Sequence, residues 1–198
     1  NLAVARGDHA VAEQIFRQLA ATHPNDPLVF NNLGQLLLLR KNYPAALDAF
    51  EQCLALTSGL SSAYSGAAQC LIALNRSSEA QSLLERSNYL AQPEISSLLG
   101  CAYNHTGNFT EAERWLLQSL HQKASPECLL ELCVCLAAQE KFEIALELIN
   151  KPDYQPLMNI SLELNKVAIL HLSGALRQAE QYAEYLRIAY PHSPDLLV

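Results

Sequence analysis

The side chains able to do chemistry in this 198-residue sequence include six cysteines and six histidines. Cys128, Cys133 and Cys135 fall on one predicted helix, where Cys133-x-Cys135 suggests a metal or redox pair. Residues two apart point about 200° apart on a helix, so these two cannot chelate one ion together. Cys128 and Cys135 share a face, but seven residues separate them by about 10 Å along the axis. A single zinc sits about 2.3 Å from each sulfur and cannot span that gap. No CxxC and no histidine at ligand spacing accompanies them. The expectation is structural thiols, with Cys53 and Cys133 serving as small packing residues. Oxidative or regulatory roles stand as the alternative.

His9, His23, His105, His121, His171 and His192 are dispersed, mostly at predicted turns and helix ends. His105 and His171 suit either a groove or a solvated surface. Glu111/Glu113 and Glu143/Glu147 are expected on solvated outer faces of helices. The sequence carries no Gly-rich phosphate loop, nucleophile elbow or Ser/His/Asp constellation. No catalytic residue, metal site or cofactor is therefore expected, and the chain reads as a non-enzyme. Sequons at Asn75, Asn104, Asn108 and Asn159 matter only in a secretory pathway.

These residues sit on a periodic framework. Ala12, Ala46, Ala80, Ala112, Ala145 and Ala179 recur at intervals of 34, 34, 32, 33 and 34 residues. Phe16, Phe50, Leu84 and Leu116 each follow four residues after one of them, on the same helical face. A fixed period of this length marks a stacked array of supersecondary units. First helices are expected near 27–40, 61–74, 93–105, 126–139 and 158–173. Second helices are expected near 8–21, 43–56, 77–90, 109–121, 142–151 and 175–190.

Turn residues punctuate these pairs. Gly7, Gly107 and Gly174 suit a left-handed position after the first helix, and Asn42 or Asn75 can serve the same need. Pro24, Pro27, Pro93, Pro126, Pro191 and Pro194 fall between units, where a missing N–H costs nothing. Pro152 should stop a second helix around Lys151. The loop it opens is either a simple helix shortening or a hinge or partner contact.

The segment Pro27 to Leu60 resembles the tetratricopeptide repeat, W-x2-L-G-x2-Y, then A-x3-F, then P. It carries Phe30, Leu33-Gly34 and Leu37, then Ala46 and Phe50, with Ser58 in the place of the proline. The unit from Pro93 matches through Leu99-Gly100, Tyr103, Ala112 and Leu116, whereas the last has Lys166-Val167 in place of Leu-Gly. The resemblance implies an all-α fold, a right-handed α-solenoid of stacked helix–turn–helix repeats. The expected organisation is one array over 1–198: a partial repeat 1–26, repeats about 27–60, 61–92, 93–125, 126–157 and 158–191, and the start of a further helix at 194–198. Both ends read as junctions into further repeats, so excision from a longer protein is expected.

Composition narrows the partners. The net charge of −7 comes with basic residues scattered singly, leaving no stripe for nucleic acid and no polybasic patch for a membrane surface. The uncharged stretch from Leu54 to Asn75 holds glycine, serines and a repeat boundary, so it reads as a buried helix pair rather than a membrane span. Cysteines without disulfide-style spacing and no targeting segment point to the cytoplasm.

In the resembled family the first helices line a concave groove that receives a peptide or helix of another protein. Matching positions here are Asn31, Gln35, Leu38 and Leu39; Ser65, Gln69, Ile72 and Ala73; Ser97, Cys101, Asn104 and His105; Leu130, Val134, Ala137 and Ala138; and Leu164, Ala168, His171 and Leu172. Some of these, including Leu130, Val134 and Leu164, suit packing between units equally well. The carboxylate-clamping pattern of one subclass is missing, since no cation occupies its positions. The expected function is an interaction scaffold or adaptor. Alternatives are a chaperone or assembly factor for secretion or surface-structure biogenesis, or the regulatory or docking arm of an enzyme. Open repeat ends would also favour end-to-end self-association.

Overall fold

The computed structural model describes residues 9–191 and residue 193. Gly7, His192, Pro194 and the helix start expected at 194–198 lie outside the described residues. Eleven α-helices and one 3-10 helix are found among those described. They are α1 (His9–Thr22), α2 (Pro27–Leu39), α3 (Tyr43–Leu56), α4 (Ser61–Ala73), α5 (Ser77–Glu85) and α6 (Pro93–His105). The series continues with α7 (Phe109–Gln122), α8 (Pro126–Ala138), α9 (Phe142–Ile149), the 3-10 helix Pro152–Leu157, α10 (Ile160–Leu172) and α11 (Leu176–Ala189). The fold is all-α, built of stacked helix–turn–helix repeats.

The helices start where the sequence supplies a cap. Pro27, Pro93 and Pro126 occupy the first helical position of α2, α6 and α8. Asp26, Ser125 and Asn159 accept from the N–H groups of Leu28, Cys128 and Leu162 at 2.9, 3.2 and 3.0 Å. Each bond satisfies one of the otherwise orphaned donors at a helix start, an effect of about 1 kcal/mol.

Two compact units, 1–106 and 107–198, hold these helices. In the first, each helix from α1 to α6 packs on the next, and α2, α4 and α6 also form a row of neighbours. In the second, α7 packs on α8, α8 on α9, and α10 on α8, α9 and α11. The repeating alanines all lie inside, from 0% exposed at Ala46, Ala80, Ala112 and Ala145 to 5% at Ala179. Phe50, Leu84, Leu116 and Ile149, four residues after an alanine, are fully buried. The small residue lets a neighbouring helix approach and the large one fills the space beside it.

Phe50 is the largest of these fillers and has glycine on two sides. A Cβ added at Gly34 would lie 2.7 Å from Phe50 Cε1, and one at Gly66 would lie 2.3 Å from Phe50 Cζ. Gly66 belongs to α4, so the contact joins one repeat to the next.

The hairpin turns share one device. Lys41, Asn75, Gly107, Glu140 and Gly174 all take positive φ, between 57° and 82°. They follow the same intervals as the alanines. The next residue donates its N–H back into the preceding helix: Asn42 to Leu37, Arg76 to Leu71, Lys141 to Leu136 and Ala175 to Leu170, at 2.8–3.0 Å. This is the six-to-one bond of a Schellman ending. The expectation for Asn42 is corrected: Lys41 is left-handed, and Asn42 has φ −87° as the N-cap of α3.

Two helix ends also differ from expectation. α5 stops at Glu85 rather than near residue 90. Ser87 turns inward, its hydroxyl accepting from the Tyr89 N–H at 3.4 Å, and Tyr89 reaches back to Tyr64 (ring centroids 5.8 Å apart) and to the Ser58 carbonyl. α9 stops at Ile149, and the proline-rich segment after it forms a 3-10 helix rather than an open loop.

Lys166 stands where other repeats bury Leu33, Ala67, Leu99 and Leu132, and a polar network accommodates it. Its ammonium donates to Asn150 Oδ1 at 2.8 Å and lies 4.4 Å from the Tyr182 ring centroid. The Tyr182 hydroxyl donates to Glu163 at 2.5 Å. Burial, then this carboxylate, pushes the phenol above its ordinary range.

Candidate functional site: the first-helix faces

No helix among the described residues is long and apolar enough to cross a membrane. The residues expected to meet a partner lie on the first helices of each unit.

In the first unit these are α2, α4 and α6. Asn31 is buried, and its Oδ1 accepts from the Ser62 hydroxyl at 3.1 Å. Gln35 donates to the Ser62 carbonyl at 3.4 Å. Both therefore tie α2 to the first turn of α4, and Ser65 donates to the same carbonyl at 3.1 Å. Leu38 and Ile72 are half-buried, Gln69 and Ala73 are exposed, and Leu39 is 68% exposed. Neither α2 nor α4 carries a charged residue. Ser97 is half-buried and Asn104 is buried on α6. Cys101 and His105, four apart on α6, place Sγ and Nε2 4.0 Å apart, and His105 Nδ1 is 3.3 Å from Ser77 Oγ. The i, i+4 spacing was visible in the sequence, but only the fold brings Ser77 to the imidazole.

In the second unit, α8 and α10 lie side by side. Leu130, Ala137 and Leu164 are half-buried, Ala138 and Ala168 are exposed, and Val134 is 42% exposed. His171 and Leu172 are exposed at the end of α10. Leu164, Ala168, His171 and Leu172 continue into an apolar groove of about 690 Å³ between α10 and α11, completed by Val167, Leu176, Ala179, Glu180 and Ala183.

The chemistry-bearing residues resolve largely into packing. Cys53, Cys70, Cys128, Cys133 and Cys135 are buried and Cys101 is half-buried. Burial pushes the Cys133 thiol up to about 12 and the Cys70 thiol up to about 11. The Cys128 and Cys135 thiols donate to the carbonyls of Leu116 and Phe109 at 3.4 and 3.2 Å. Their seven-residue spacing on α8 thus matches a seven-residue spacing on antiparallel α7.

Glu113 departs from the solvated outer face expected of it. It accepts from Lys141 Nζ at 2.7 Å and Gln139 Nε2 at 3.0 Å, linking α7 to the α8–α9 turn. Burial alone would raise its pKa, but these two donors outweigh it and hold the carboxyl below its ordinary value. Glu111 pairs with Arg114 at the surface, and Glu143 and Glu147 are exposed. Asn108 and Asn159 are spent as caps and Asn75 as a left-handed turn residue.

Models of the tetratricopeptide repeat match residues 1–61, 37–100 and 97–121. The chain belongs to the tetratricopeptide repeat family. Among curated relatives, it is 33% identical over 109 residues to anaphase-promoting complex subunit 6 of Arabidopsis thaliana. The match takes in 52% of this chain and 20% of that protein, so the tetratricopeptide segment here spans about a fifth of its length. Among solved structures, PilW, described as a widely conserved type IV pilus biogenesis factor, superposes with a TM-score of 0.85 at 19% identity, covering 98% of this chain and 91% of PilW. YrrB, described as a tetratricopeptide repeat protein with an unusual peptide-binding site, gives 0.62 at 17% identity, covering 92% and 95%. At these identities the likeness is one of fold.

Proposed function

We propose that this protein is an interaction scaffold that holds a peptide or amphipathic helix of another protein on its first-helix faces. One observation carries the reading: apolar side chains stand exposed at recurring first-helix positions, with Leu39 at 68% and Leu172 at 62%, thirteenth residues of α2 and α10. Side chains of that size contribute about 1.5–3 kcal/mol each when a partner covers them. The uncharged faces of α2 and α4 add hydroxyl and amide groups suited to orienting an apolar ligand. Membership of a repeat family and likeness to a named complex subunit support a role within an assembly.

The test is capture of partners on the immobilised chain, comparing the wild type with Leu38→Asp and Leu130→Asp. Each variant should lose the captured protein while keeping its helical circular-dichroism signal and cooperative melting. Undiminished capture by both would refute the groove.

A further inference from the structure

Side chains of α9, α10 and α11 line a pocket of about 350 Å³ inside the unit 107–198. It repeats a pocket lined by α3, α4 and α5. A shift of 99 positions carries Leu47 onto Leu146, Glu51 onto Asn150, Ala67 onto Lys166, Leu71 onto Leu170, Glu79 onto Gln178 and Leu83 onto Tyr182. The earlier pocket is present although α6 follows and packs on α4 and α5. Such a pocket therefore belongs to the stacking of three successive helices, whatever comes after them.

The two pockets share a leucine floor and differ in charge. Glu51, Glu79 and Arg86 face the first. In the second, the amides Asn150 and Gln178 replace the two acids, and Lys166 is the charged lining residue. A lysine is costly at this register, since its ammonium loses water where Leu99 and Leu132 are fully buried. Leucine would serve the packing, so the cation asks for another explanation.

The neighbours that offset this cost also hold the charge in place. Asn150 Oδ1 accepts one of the three ammonium N–H groups at 2.8 Å, and the Tyr182 ring centroid lies 4.4 Å from the nitrogen. Glu163 accepts from the Tyr182 hydroxyl at 2.5 Å, which engages that carboxylate. Gln178 and Gln181 add exposed amides at the mouth. One held cation and three carboxamides thus stand over Leu146 and Leu170. A single ammonium balances a single negative charge, whereas a phosphate dianion calls for more cations than this lining supplies.

We infer that the α9–α11 pocket is a binding site for a carboxylate carried on a short apolar stem. The charge meets Lys166, the oxygens accept from the amides, and the stem lies on Leu146 and Leu170. The volume is that of a small-molecule pocket and admits an acidic side chain, a chain end or a free acid. None of its lining residues is among the positions assigned above to a partner, so either site can fail without the other.

The experiment titrates the full 198-residue chain, labelled with heavy nitrogen, with hexanoate, hexanamide and inorganic phosphate. The NMR signals followed are the side-chain amides of Asn150, Gln178 and Gln181. Hexanoate should shift them saturably and bind at least about tenfold more tightly than hexanamide or phosphate. That comparison needs no variant. In Lys166→Leu the hexanoate affinity should fall about tenfold or more with melting still cooperative, because Leu33, Leu99 and Leu132 occupy the same register. Acetyl-leucyl-glutamate amide and acetyl-leucyl-leucine separate the sources. Tightest binding of the first supports a partner's acidic side chain, of the second a chain end, and of hexanoate a free acid. No saturable shift with any of these carboxylates overturns the site. So does unchanged affinity in Lys166→Leu, or hexanamide or phosphate binding as tightly as hexanoate.

Discussion

Phe50 and Gly66 are fitted to each other across a repeat boundary. The ring is fully buried, and the glycine leaves no room for a Cβ, which would fall 2.3 Å from Cζ. Gly66→Ala should therefore destabilise the protein by about 1–3 kcal/mol, the usual cost of overpacking a core. Phe50→Leu should also destabilise when made alone. The double variant should recover part of the loss, because the smaller side chain vacates the space the new methyl needs. Urea denaturation of the four proteins gives the coupling directly. Strictly additive losses would show that the two residues do not compete for one volume.

How much of this was legible in the sequence depends on whether the signal was local. The alanine period placed the buried alanines, their fillers and the hairpin register, since each depends on residues within one repeat. Phe50–Gly66 was not legible in the same way. The register of Gly66 holds Asn32 in α2, Leu98 in α6 and Glu131 in α8, so no pattern marks it as a small position. Its glycine is explained only by the particular filler it meets. The family resemblance placed Asn31 among the expected groove positions, but it could not show that Ser62 would turn its amide inward. The second helix expected near 77–90 ends at Glu85, because Ser87 and Tyr89 bond elsewhere.

The turns make a second prediction with opposite signs at equivalent positions. Gly174 has φ 82°, and a Cβ there meets nothing within 4 Å, so Gly174→Ala isolates the backbone cost of a left-handed residue. It should lose about 1 kcal/mol. Glu140 occupies the same register with φ 59° and an exposed side chain. Glu140→Gly should gain a few tenths to about 1 kcal/mol, reduced by the greater freedom of glycine in the unfolded chain. Thermal or urea unfolding distinguishes the signs. A loss at both positions would mean that Glu140 contributes more than its conformation.

Glu113 should make stability pH-dependent in acid. Its pKa lies below the ordinary value of 4.5 in the folded chain, because the donors Lys141 and Gln139 outweigh burial. A depressed carboxyl stabilises the fold fully above its unfolded pKa, and that contribution disappears as pH falls through the folded value. Since the group is partly exposed, about 1 kcal/mol or less is at stake. Glu113→Gln should be less stable than the wild type at pH 7 and should lose less between pH 5 and pH 3. Parallel stability curves for the two proteins would show that the pair does not contribute.

Cys133 offers the sharpest separation between a packed thiol and an accessible one. It sits at the register of Gly34 and Gly100, fully buried, and burial pushes its pKa up to about 12. That keeps it as the thiol at pH 8, whereas the thiolate is the form that attacks an alkylating reagent. Burial adds a second barrier, since the reagent must wait for the helices to part. Cys101 is half-buried and faces the His105 imidazole. A timed iodoacetamide pulse on the native protein, read by peptide mapping, should label Cys101 first. Cys133 should stay unmodified until denaturant is added. If Cys133 reacted as fast as Cys101, the packing of α8 against its neighbours would open far more often than a core position allows. Cys133→Ser should then separate size from polarity: the hydroxyl is nearly isosteric but must be desolvated, at a cost of about 1–3 kcal/mol when it finds no partner. Cys133→Ala should cost less, because the register already tolerates glycine in two other repeats.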